Sequence, residues 1–249
     1  MSTLIRDYER FAKEAKEICK GRVYTDHLRR YAYGVDASCY SYLPKVVVKA
    51  EDEREVRRLI RLCQQCGTPF TFRAAGSSLS GQCSSEDVLI VCNDGFKKME
   101  VIDDGKALKC ECGVIGSDAN DLLKPYNRKI GPDPATLATA LVGGILNNNS
   151  SGMCCGTAQN SYKTIRSIRV VLLDGSILDT SDQKSIDQFL KEKPQMVEDL
   201  LQLRKEILAD EELTHLIHHK YKIKNTTGYG LNSLVDFEDI IDIINHLFI

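Results

Sequence analysis

The stretch Pro69-Phe-Thr-Phe-Arg-Ala-Ala-Gly-Ser-Ser-Leu-Ser-Gly81 decides the fold class of this chain. Its first four residues predict a strand that runs directly into a loop of small residues, and α/β proteins place ligand sites at this end of a strand. Glycine and serine at this density let the backbone approach a ligand and turn N–H groups toward it. The loop lacks the Gly-Lys-Ser/Thr ending of a Walker A motif, and its glycines do not fit GxGxxG. We therefore expect a cradle for a nucleotide cofactor of another type.

The segments on either side of this loop predict two lobes. Upstream, residues 45–50 predict a strand and Glu53–Cys66 predicts a helix, so a small α/β lobe with parallel strands spans about residues 21–80. Downstream, β-branched segments separated by Asn-Asp-Gly and Asp-Gly turns predict a larger lobe with a mainly antiparallel sheet, over about residues 81–249. These segments are residues 88–92, 99–102, 107–112 and 167–173. The fold class is therefore α+β, with two α/β lobes.

Helices complete the predicted organisation. Residues 1–20 predict an N-terminal outer helix with one apolar stripe, and residues 117–124 predict a short helix. Residues 181–220 predict a helical insertion in the second lobe, in which Pro194 separates two helices, and the sequence becomes strand-like again near Tyr229. The chain stops inside an apolar run, so we expect a fragment of a longer chain that lacks a substrate domain.

Composition excludes several classes of protein. The 249 residues carry 33 basic and 35 acidic side chains, a formal charge of -2, which predicts no nucleic-acid partner. The start of the chain does not resemble a signal peptide, and no segment predicts an integral membrane span, so we expect a cytoplasmic protein. The ten cysteines lack zinc-finger spacing, and His215, His218 and His219 fit a solvated helix end better than a metal site. We predict no metal.

A second polar segment makes the cofactor prediction more specific. Gly131-Pro-Asp-Pro-Ala135 is a proline-braced turn, Gly143-Gly144 permits close backbone approach, and Asn147-Asn-Asn-Ser-Ser-Gly152 supplies amide and hydroxyl groups. Three such patches in sequence order indicate one extended ligand.

Taken together, these motifs resemble the PCMH-type FAD-binding domain of the FAD-linked oxidases related to vanillyl-alcohol oxidase. Within that superfamily they are most similar to the group that contains D-lactate dehydrogenase and the D-subunit of glycolate oxidase. Three further segments fit the same group: Tyr33-Gly-Val-Asp-Ala-Ser38, Val170-Val-Leu-Leu-Asp-Gly175 and Lys224-Asn-Thr-Thr-Gly-Tyr-Gly-Leu231. The resemblance covers residues 20–249 apart from the helical insertion.

The resemblance implies a set of cofactor-binding residues. In the first loop these are Arg73, Ala74, Ala75, Gly76, Ser77, Ser78, Leu79, Ser80 and Gly81, whose backbone from Ala74 to Ser80 wraps the FAD pyrophosphate. Toward the flavin and ribityl part they are Pro132, Asp133, Gly143, Gly144, Asn148, Asn149, Ser151 and Gly152, and nearer the adenosine they are Gly156 and Ile168. Some members attach FAD covalently through a histidine where this chain has Ser77, so we expect noncovalent FAD.

The resemblance also implies an activity, the oxidation of a D-2-hydroxy acid to the 2-oxo acid, with D-lactate as the first candidate. The alternatives are a glycolate or D-2-hydroxyglutarate dehydrogenase of the same superfamily, or a noncatalytic interaction module. In many relatives electrons pass to a quinone through an iron–sulfur partner or fused domain, which would place the full-length protein peripherally on the inner membrane.

The sequence allows two roles for each of two basic side chains and favours no catalytic role for three aspartates. Arg73 either pairs with the pyrophosphate or braces its own loop, and Lys224 lies either on a solvated strand face or against the cofactor. Asp36, Asp133 and Asp174 stand in turns, where aspartate commonly caps its own backbone. We assign no catalytic residue in this chain, and expect the base that deprotonates the hydroxy acid to lie outside it.

Overall fold

Four strands form the sheet from which the first glycine-serine loop emerges. The computed structural model of the chain describes residues 6–225 and 229–249. The strands are β1 (Val23–Tyr24), β2 (Val46–Lys49), β3 (Phe70–Arg73) and β4 (Val88–Val91), in the spatial order β1-β2-β4-β3. Strand β4 pairs in parallel with both β2 and β3, and β1 pairs with β2 in the antiparallel sense.

Strand β4 corrects one prediction. All four of its residues are buried, and it lies between two parallel neighbours instead of in an antiparallel second lobe. A strand that is covered on both faces is apolar at every position, whereas a half-exposed strand alternates. The run Val88-Leu-Ile-Val91 therefore belongs with β2 and β3, and the predicted place of this segment was wrong.

Two helices, Tyr8–Ile18 and Glu53–Cys66, pack on one face of this sheet. Helix α1 is Tyr8–Ile18, α2 is His27–Ala32 and α3 is Glu53–Cys66, which confirms the bounds predicted for α3. Asp52 starts α3 by accepting the N–H of Glu55 at 2.8 Å, and Gly67 ends it with a φ of +62°. Residues 1–5 of the predicted N-terminal helix lie outside the described residues.

The cysteines of the segment Cys63-Gln-Gln-Cys66 lie in the core between α1, α3 and the sheet. Cys63 and Cys66 are buried together with Phe11 and Leu59. Burial raises the pKa of the Cys63 thiol to about 12. These two cysteines therefore serve as small apolar core residues, as a reduced cysteine in such surroundings commonly does.

The middle of the chain contains short elements. Strands β5 (Met99–Ile102) and β6 (Ala107–Cys110) form an antiparallel pair. Helix α4 (Gly116–Leu123) leads into a 3₁₀ turn, and α5 (Val142–Asn147) and α6 (Ser161–Thr164) follow. Strands β7 (Arg169–Val171) and β8 (Ile177–Asp179) form a separate two-stranded sheet.

The last part of the chain is helical. Its elements are α7 (Gln183–Glu192), α8 (Pro194–Ala209), α9 (Glu211–Lys220), α10 (Ser233–Asp236) and α11 (Ile240–Leu247). The predicted insertion therefore contains three helices instead of two, because Asp210 ends α8 and caps α9 by accepting the N–H of Leu213 at 2.9 Å. The predicted strand near Tyr229 is also wrong, since the described residues there form a turn before α10.

The chain divides into two compact units. The first contains the described residues up to Lys129, with Thr136–Gly144 and Val171–Ser176. The second contains Ile130–Ala135, Ile145–Val170 and the described part of Ile177–Ile249. Its apolar core joins α8, α9, α10 and α11 through Ile207, Ile217, Leu234 and Ile243. Within the described ranges, no helix is both long enough and apolar enough to cross a membrane.

We predict that Ile90→Ala lowers the free energy of unfolding by about 3 kcal/mol, because it deletes a fully buried side chain from the central strand. Urea denaturation measures the change. Leu28→Ala is the control, since Leu28 is 77% exposed and its truncation should cost less than about 0.5 kcal/mol. Equal losses at the two positions would contradict the central place of β4.

Candidate cofactor site

The glycine-serine loop begins at the carboxyl end of β3 and presents a row of backbone donors. No backbone N–H from Ala75 to Leu79 donates to another group in the described part of the chain. Gly76 has a φ of +72°, and a Cβ at this position would lie 2.5 Å from the guanidinium group of Arg73. A positive-φ residue within a run of unpaired N–H groups forms the kind of concave nest that binds anions. The loop therefore fits the pyrophosphate of a dinucleotide.

Arg73 braces this loop. Its Nη1 donates to the carbonyl of Tyr33 at 2.8 Å and its Nη2 donates to the carbonyl of Val35 at 2.6 Å. The backbone N–H of Ala37 donates to the carbonyl of Gly76 at 3.0 Å, which ties the same two segments together. Of the two roles that the sequence left open for Arg73, these contacts favour the brace.

Asp36 holds the far end of the loop. Its carboxylate accepts hydrogen bonds from the Ser38 N–H at 2.8 Å, the Ser84 hydroxyl at 2.9 Å and the Cys83 thiol at 3.1 Å. Burial alone would raise the pKa of Asp36, but these donors outweigh it and lower the pKa to about 2. The bond to Ser38 confirms the predicted cap of its own turn. The bonds to residues 83 and 84 were not predicted, because nothing in the local sequence marks a contact so distant along the chain.

Gly144 and the loop lie against each other within the first unit. A Cβ at Gly144 would lie 3.3 Å from the Cβ of Ala74, so the second motif packs directly on the first. Gly143 is held by a bond from its N–H to the carbonyl of Cys112 at 2.9 Å, and a Cβ there would lie 2.6 Å from the Cβ of Cys112. Gly144 therefore packs against the start of the loop at Ala74. Gly143 packs so closely on Cys112 that a side chain there would collide with it.

In the second unit, Asp133 organises the turn that follows Gly152. Its carboxylate accepts the N–H groups of Cys155 at 3.2 Å and Cys154 at 3.1 Å. Hydrogen bonding to Cys155, first with its side chain and then with its backbone N–H, and to Cys154 lowers the pKa of Asp133 to about 2. A Cβ at Gly152 would collide with the Asp133 carbonyl oxygen. Asp133 thus caps a turn that is distant from it in sequence, and the prediction that it caps its own turn is wrong. The two hydrogen bonds hold its carboxylate in place.

The asparagine segment has a structural role as well. Asn149 is 8% exposed, has a φ of +40°, and accepts the Tyr162 N–H through its Oδ1 at 3.1 Å. Asn148 donates to the Ser150 hydroxyl at 3.3 Å. The side-chain oxygen of Asn149 is therefore already bonded, and its part in cofactor binding stays a prediction.

The remaining predicted residues of the second unit differ in which of their groups could contact a ligand. The N–H and carbonyl of Ile168 are both bonded to Thr180, which leaves only its side chain for a ligand. Gly156 has a φ of +50°, and a Cβ at this position would lie more than 4 Å from every described residue other than its chain neighbours. The carbonyl of Ser151 accepts the Lys224 ammonium at 3.4 Å. Pro132 lies beside Asp133 in the same unit.

Lys224 and the three histidines of α9 are also residues whose role the sequence analysis considered. Lys224 follows the end of α9 in irregular backbone, so the alternative that placed it on a strand face is wrong. In the part of the chain that the structure describes, no group of three His, Cys, Asp or Glu side chains is arranged to hold a metal ion.

The site residues thus fall into two groups, each assembled within its own unit. In the first unit, residues 73–81 lie with Gly143 and Gly144. In the second, Pro132 and Asp133 lie with the segment from Asn148 to Gly156, and Ile168 belongs to the same unit. The open N–H row and the close contact between Gly144 and Ala74 fit a phosphate-bearing cofactor such as FAD.

Comparison with known proteins agrees with this geometry. The sequence profile of a family described as "FAD binding domain" matches residues 44–181. The chain is 28% identical over 164 residues to the D-2-hydroxyglutarate dehydrogenase of Escherichia coli strain K12, covering 64% of this chain and 16% of that protein. It is 26% identical over 164 residues to the glycolate oxidase subunit GlcD of Bacillus subtilis strain 168, covering 64% of this chain and 34% of that one.

A solved structure of similar fold is that of an alkyldihydroxyacetonephosphate synthase, with a TM-score of 0.58 and 20% identity over 72% of this chain and 35% of that chain. The chain thus spans about a sixth to a third of the length of these proteins. The fold is the PCMH-type FAD-binding fold, and the chain belongs to the FAD binding domain family. Its cofactor is FAD.

We predict that Gly144→Ala weakens FAD binding about tenfold, because the added methyl group must displace Ala74 and with it the start of the loop. Alanine favours a helix over glycine by about 1 kcal/mol, so the thermal stability of the protein without FAD should not fall. The double variant Gly144→Ala/Ala74→Gly removes the contact and should restore affinity. Fluorescence titration with FAD measures all three proteins. Additive losses in the double variant would contradict the contact.

We also predict an acid-dependent stability from Asp36. Its pKa lies below the ordinary value of 3.8, so its contribution is present above that pH and is lost as pH falls toward about 2. Asp36→Asn should lower the Tm at pH 7 and lose less stability than the wild type between pH 4 and pH 2.5. Thermal unfolding at several pH values measures this, and Asp104→Asn in an exposed turn is the control. Parallel pH profiles for wild type and Asp36→Asn would contradict the prediction.

Proposed function

We propose that this chain is the FAD-binding portion of a flavin-dependent dehydrogenase that oxidises a D-2-hydroxy acid to the 2-oxo acid. D-lactate is the first candidate substrate, with D-2-hydroxyglutarate and glycolate as the alternatives. The observation that carries the proposal is the run of N–H groups from Ala75 to Leu79, next to Gly144, which have no partner among residues 6–225 and 229–249, in a chain of this family.

The residues of the chain would bind and orient the cofactor. The N–H groups of the loop would hold the pyrophosphate without a lysine, since backbone donors neutralise an anion at short range. Arg73 and Asp36 would keep these donors in place through their bonds to residues 33–38, 83 and 84. Ser77 offers a hydroxyl group where covalent attachment would need a histidine, so the cofactor would be bound noncovalently.

The chemistry that FAD supplies when bound is two-electron oxidation of the carbon that carries the substrate hydroxyl group. A base must also take the hydroxyl proton. Asp36, Asp133 and Asp174 already accept hydrogen bonds from N–H, hydroxyl or thiol groups of turns, so none of them is assigned this role. We propose that the base belongs to the remaining part of the full-length protein.

The substrate class rests on the names of the relatives, which include D-2-hydroxyglutarate dehydrogenase and a glycolate oxidase subunit. The proposal also includes an iron–sulfur partner or fused domain that accepts the electrons. It further includes a peripheral position of the full-length protein at the inner membrane. The chain itself would bind FAD and turn over slowly at most.

Two measurements test the proposal. The purified chain is incubated with excess FAD, freed of unbound flavin, and precipitated with acid, and absorption spectra are taken at each step. We expect flavin bands in the protein and their complete transfer to the acid supernatant. Flavin in the pellet would contradict noncovalent binding. A colourless protein that takes up no FAD would contradict the cofactor role and favour a noncatalytic module.

The second measurement concerns the substrate. Full-length protein is assayed with an artificial electron acceptor and D-lactate, D-2-hydroxyglutarate or glycolate, with L-lactate as the stereochemical control. We expect reduction of the acceptor with one of the first three compounds. A flavoprotein that oxidises none of them would retain the cofactor assignment and overturn the substrate class.

A further inference from the structure

Helix α3 carries a row of arginines on the side that faces away from the core. Its buried side is formed by Val56, Leu59, Ile60, Leu62, Cys63 and Cys66. Residues three or four positions apart lie together on one face of a helix, and the arginines have this spacing. They are Arg54, Arg57, Arg58 and Arg61, of which Arg57 is half-buried and the others are exposed. The helix therefore presents several guanidinium groups on one outer face.

These arginines lack acidic partners within the chain. In residues 6–225 and 229–249, no ion pair joins any of them to a carboxylate. The acids of the same helix are themselves engaged. Glu55 accepts hydrogen bonds from the Arg22 guanidinium at 2.5 and 2.9 Å, and Glu53 has an interaction of its own. The row is therefore a local concentration of positive charge on a chain whose formal charge is -2.

The turn between β7 and β8 adds an apolar side chain to this surface. The Arg57 Nε donates to the Gly175 carbonyl at 2.7 Å, and the Gln64 Nε2 donates to the Leu173 carbonyl at 2.9 Å. These bonds hold residues 172–176 against α3, and Leu173 is 64% exposed there. The helix and this turn belong to the first unit. We call the surface formed by the arginines of α3 and Leu173 the arginine face.

The composition of the arginine face is typical of a protein-binding surface. A guanidinium group is planar, weakly hydrated and able to bind a carboxylate through two parallel hydrogen bonds. Arginines are accordingly enriched at protein interfaces, whereas lysines are depleted. The carboxylate of Asp174 in the adjoining turn already accepts the Ser176 N–H and hydroxyl. Leu173 gains free energy when an apolar side chain covers it, which a phosphate backbone does not offer. The chemistry fits an acidic peptide that also contains apolar residues.

We propose that the arginine face binds an acidic segment of a partner protein. Carboxylates of the segment pair with the exposed guanidinium groups of Arg54, Arg58 and Arg61, and an apolar side chain of the segment packs on Leu173. Arg57 keeps the turn in place beside them. The face shares no residue with the predicted cofactor site, so this inference does not depend on the proposed dehydrogenase activity.

Fluorescence anisotropy tests the proposal on the whole chain at low ionic strength. The main probe is a fluorescein-labelled peptide of glutamates with interspersed leucines, the mixed acidic peptide. Its controls are the same peptide with glutamine in place of glutamate, an all-glutamate peptide and an oligodeoxythymidylate of equal charge.

We expect the mixed acidic peptide to bind at least about tenfold more tightly than its glutamine counterpart, which lacks the carboxylates. It should also bind more tightly than the all-glutamate peptide, because only its leucines can cover Leu173. Added salt should weaken the binding, since the arginines that carry it are exposed.

Variants locate the binding. Arg54→Gln/Arg58→Gln should weaken binding of the mixed acidic peptide at least about tenfold, because it removes two charge-assisted contacts. Lys13→Gln/Lys16→Gln is the matched control, since it removes the same charge from exposed positions of α1 and should leave binding unchanged. Leu173→Ser should lower the affinity to that of the all-glutamate peptide. Arginine and glutamine have similar helix propensities, and circular dichroism verifies that each variant is folded.

Several results would overturn the proposal. A mixed acidic peptide that does not bind, or that binds no more tightly than its glutamine counterpart, would remove the acidic segment as the partner. Equal losses in the arginine and lysine double variants would show attraction to surface charge in general. Tighter binding of the oligodeoxythymidylate would make the face a nucleic-acid site. FAD titration of the same proteins is a separate readout, so each of these failures would leave the cofactor assignment intact.

Discussion

The parallel pairing of β3 with β4 is the constraint on which the proposed FAD site depends. Val88 to Val91 are buried from end to end, and the register pairs Arg73 at the end of β3 with Val91. The Cys92 N–H extends this ladder by donating to the Arg73 carbonyl at 2.9 Å. The loop thus leaves the sheet from a fixed point, and the Arg73 side chain then fixes residues 33–35 beside it. An anion nest on a mobile loop would have to be ordered by the ligand at an entropic cost, and this arrangement reduces that cost.

The sequence predicted most of this first unit because its signals are local. Helix α3 has an Asp cap, an apolar stripe and a terminal glycine within one stretch, and its predicted bounds were confirmed. The glycine-serine loop was recognisable from its composition and from the strand before it. The place of β4 was missed, since a continuous apolar run reveals a buried strand but not its neighbours.

The second unit was harder to predict because its determinants are contacts between residues distant in sequence. Asp133 stands in a proline-rich turn that suggests a local cap, yet it binds the N–H groups of Cys154 and Cys155. The break between α8 and α9 at Asp210 follows from a single capping side chain. Asn149, Tyr162 and Asn232 are buried polar or aromatic residues from three separate segments of the chain. Only the folded chain brings them to one cavity.

The central claim is that the backbone N–H groups of Ala75 to Leu79 bind the phosphates of FAD. Amide NMR of the ¹⁵N-labelled chain during titration with FAD tests it most directly, because each of these groups has its own signal. The account predicts large, saturating shifts for residues 75–79 and negligible shifts in α8, which the site does not include. FAD binding that leaves the signals of residues 75–79 unmoved would contradict the account.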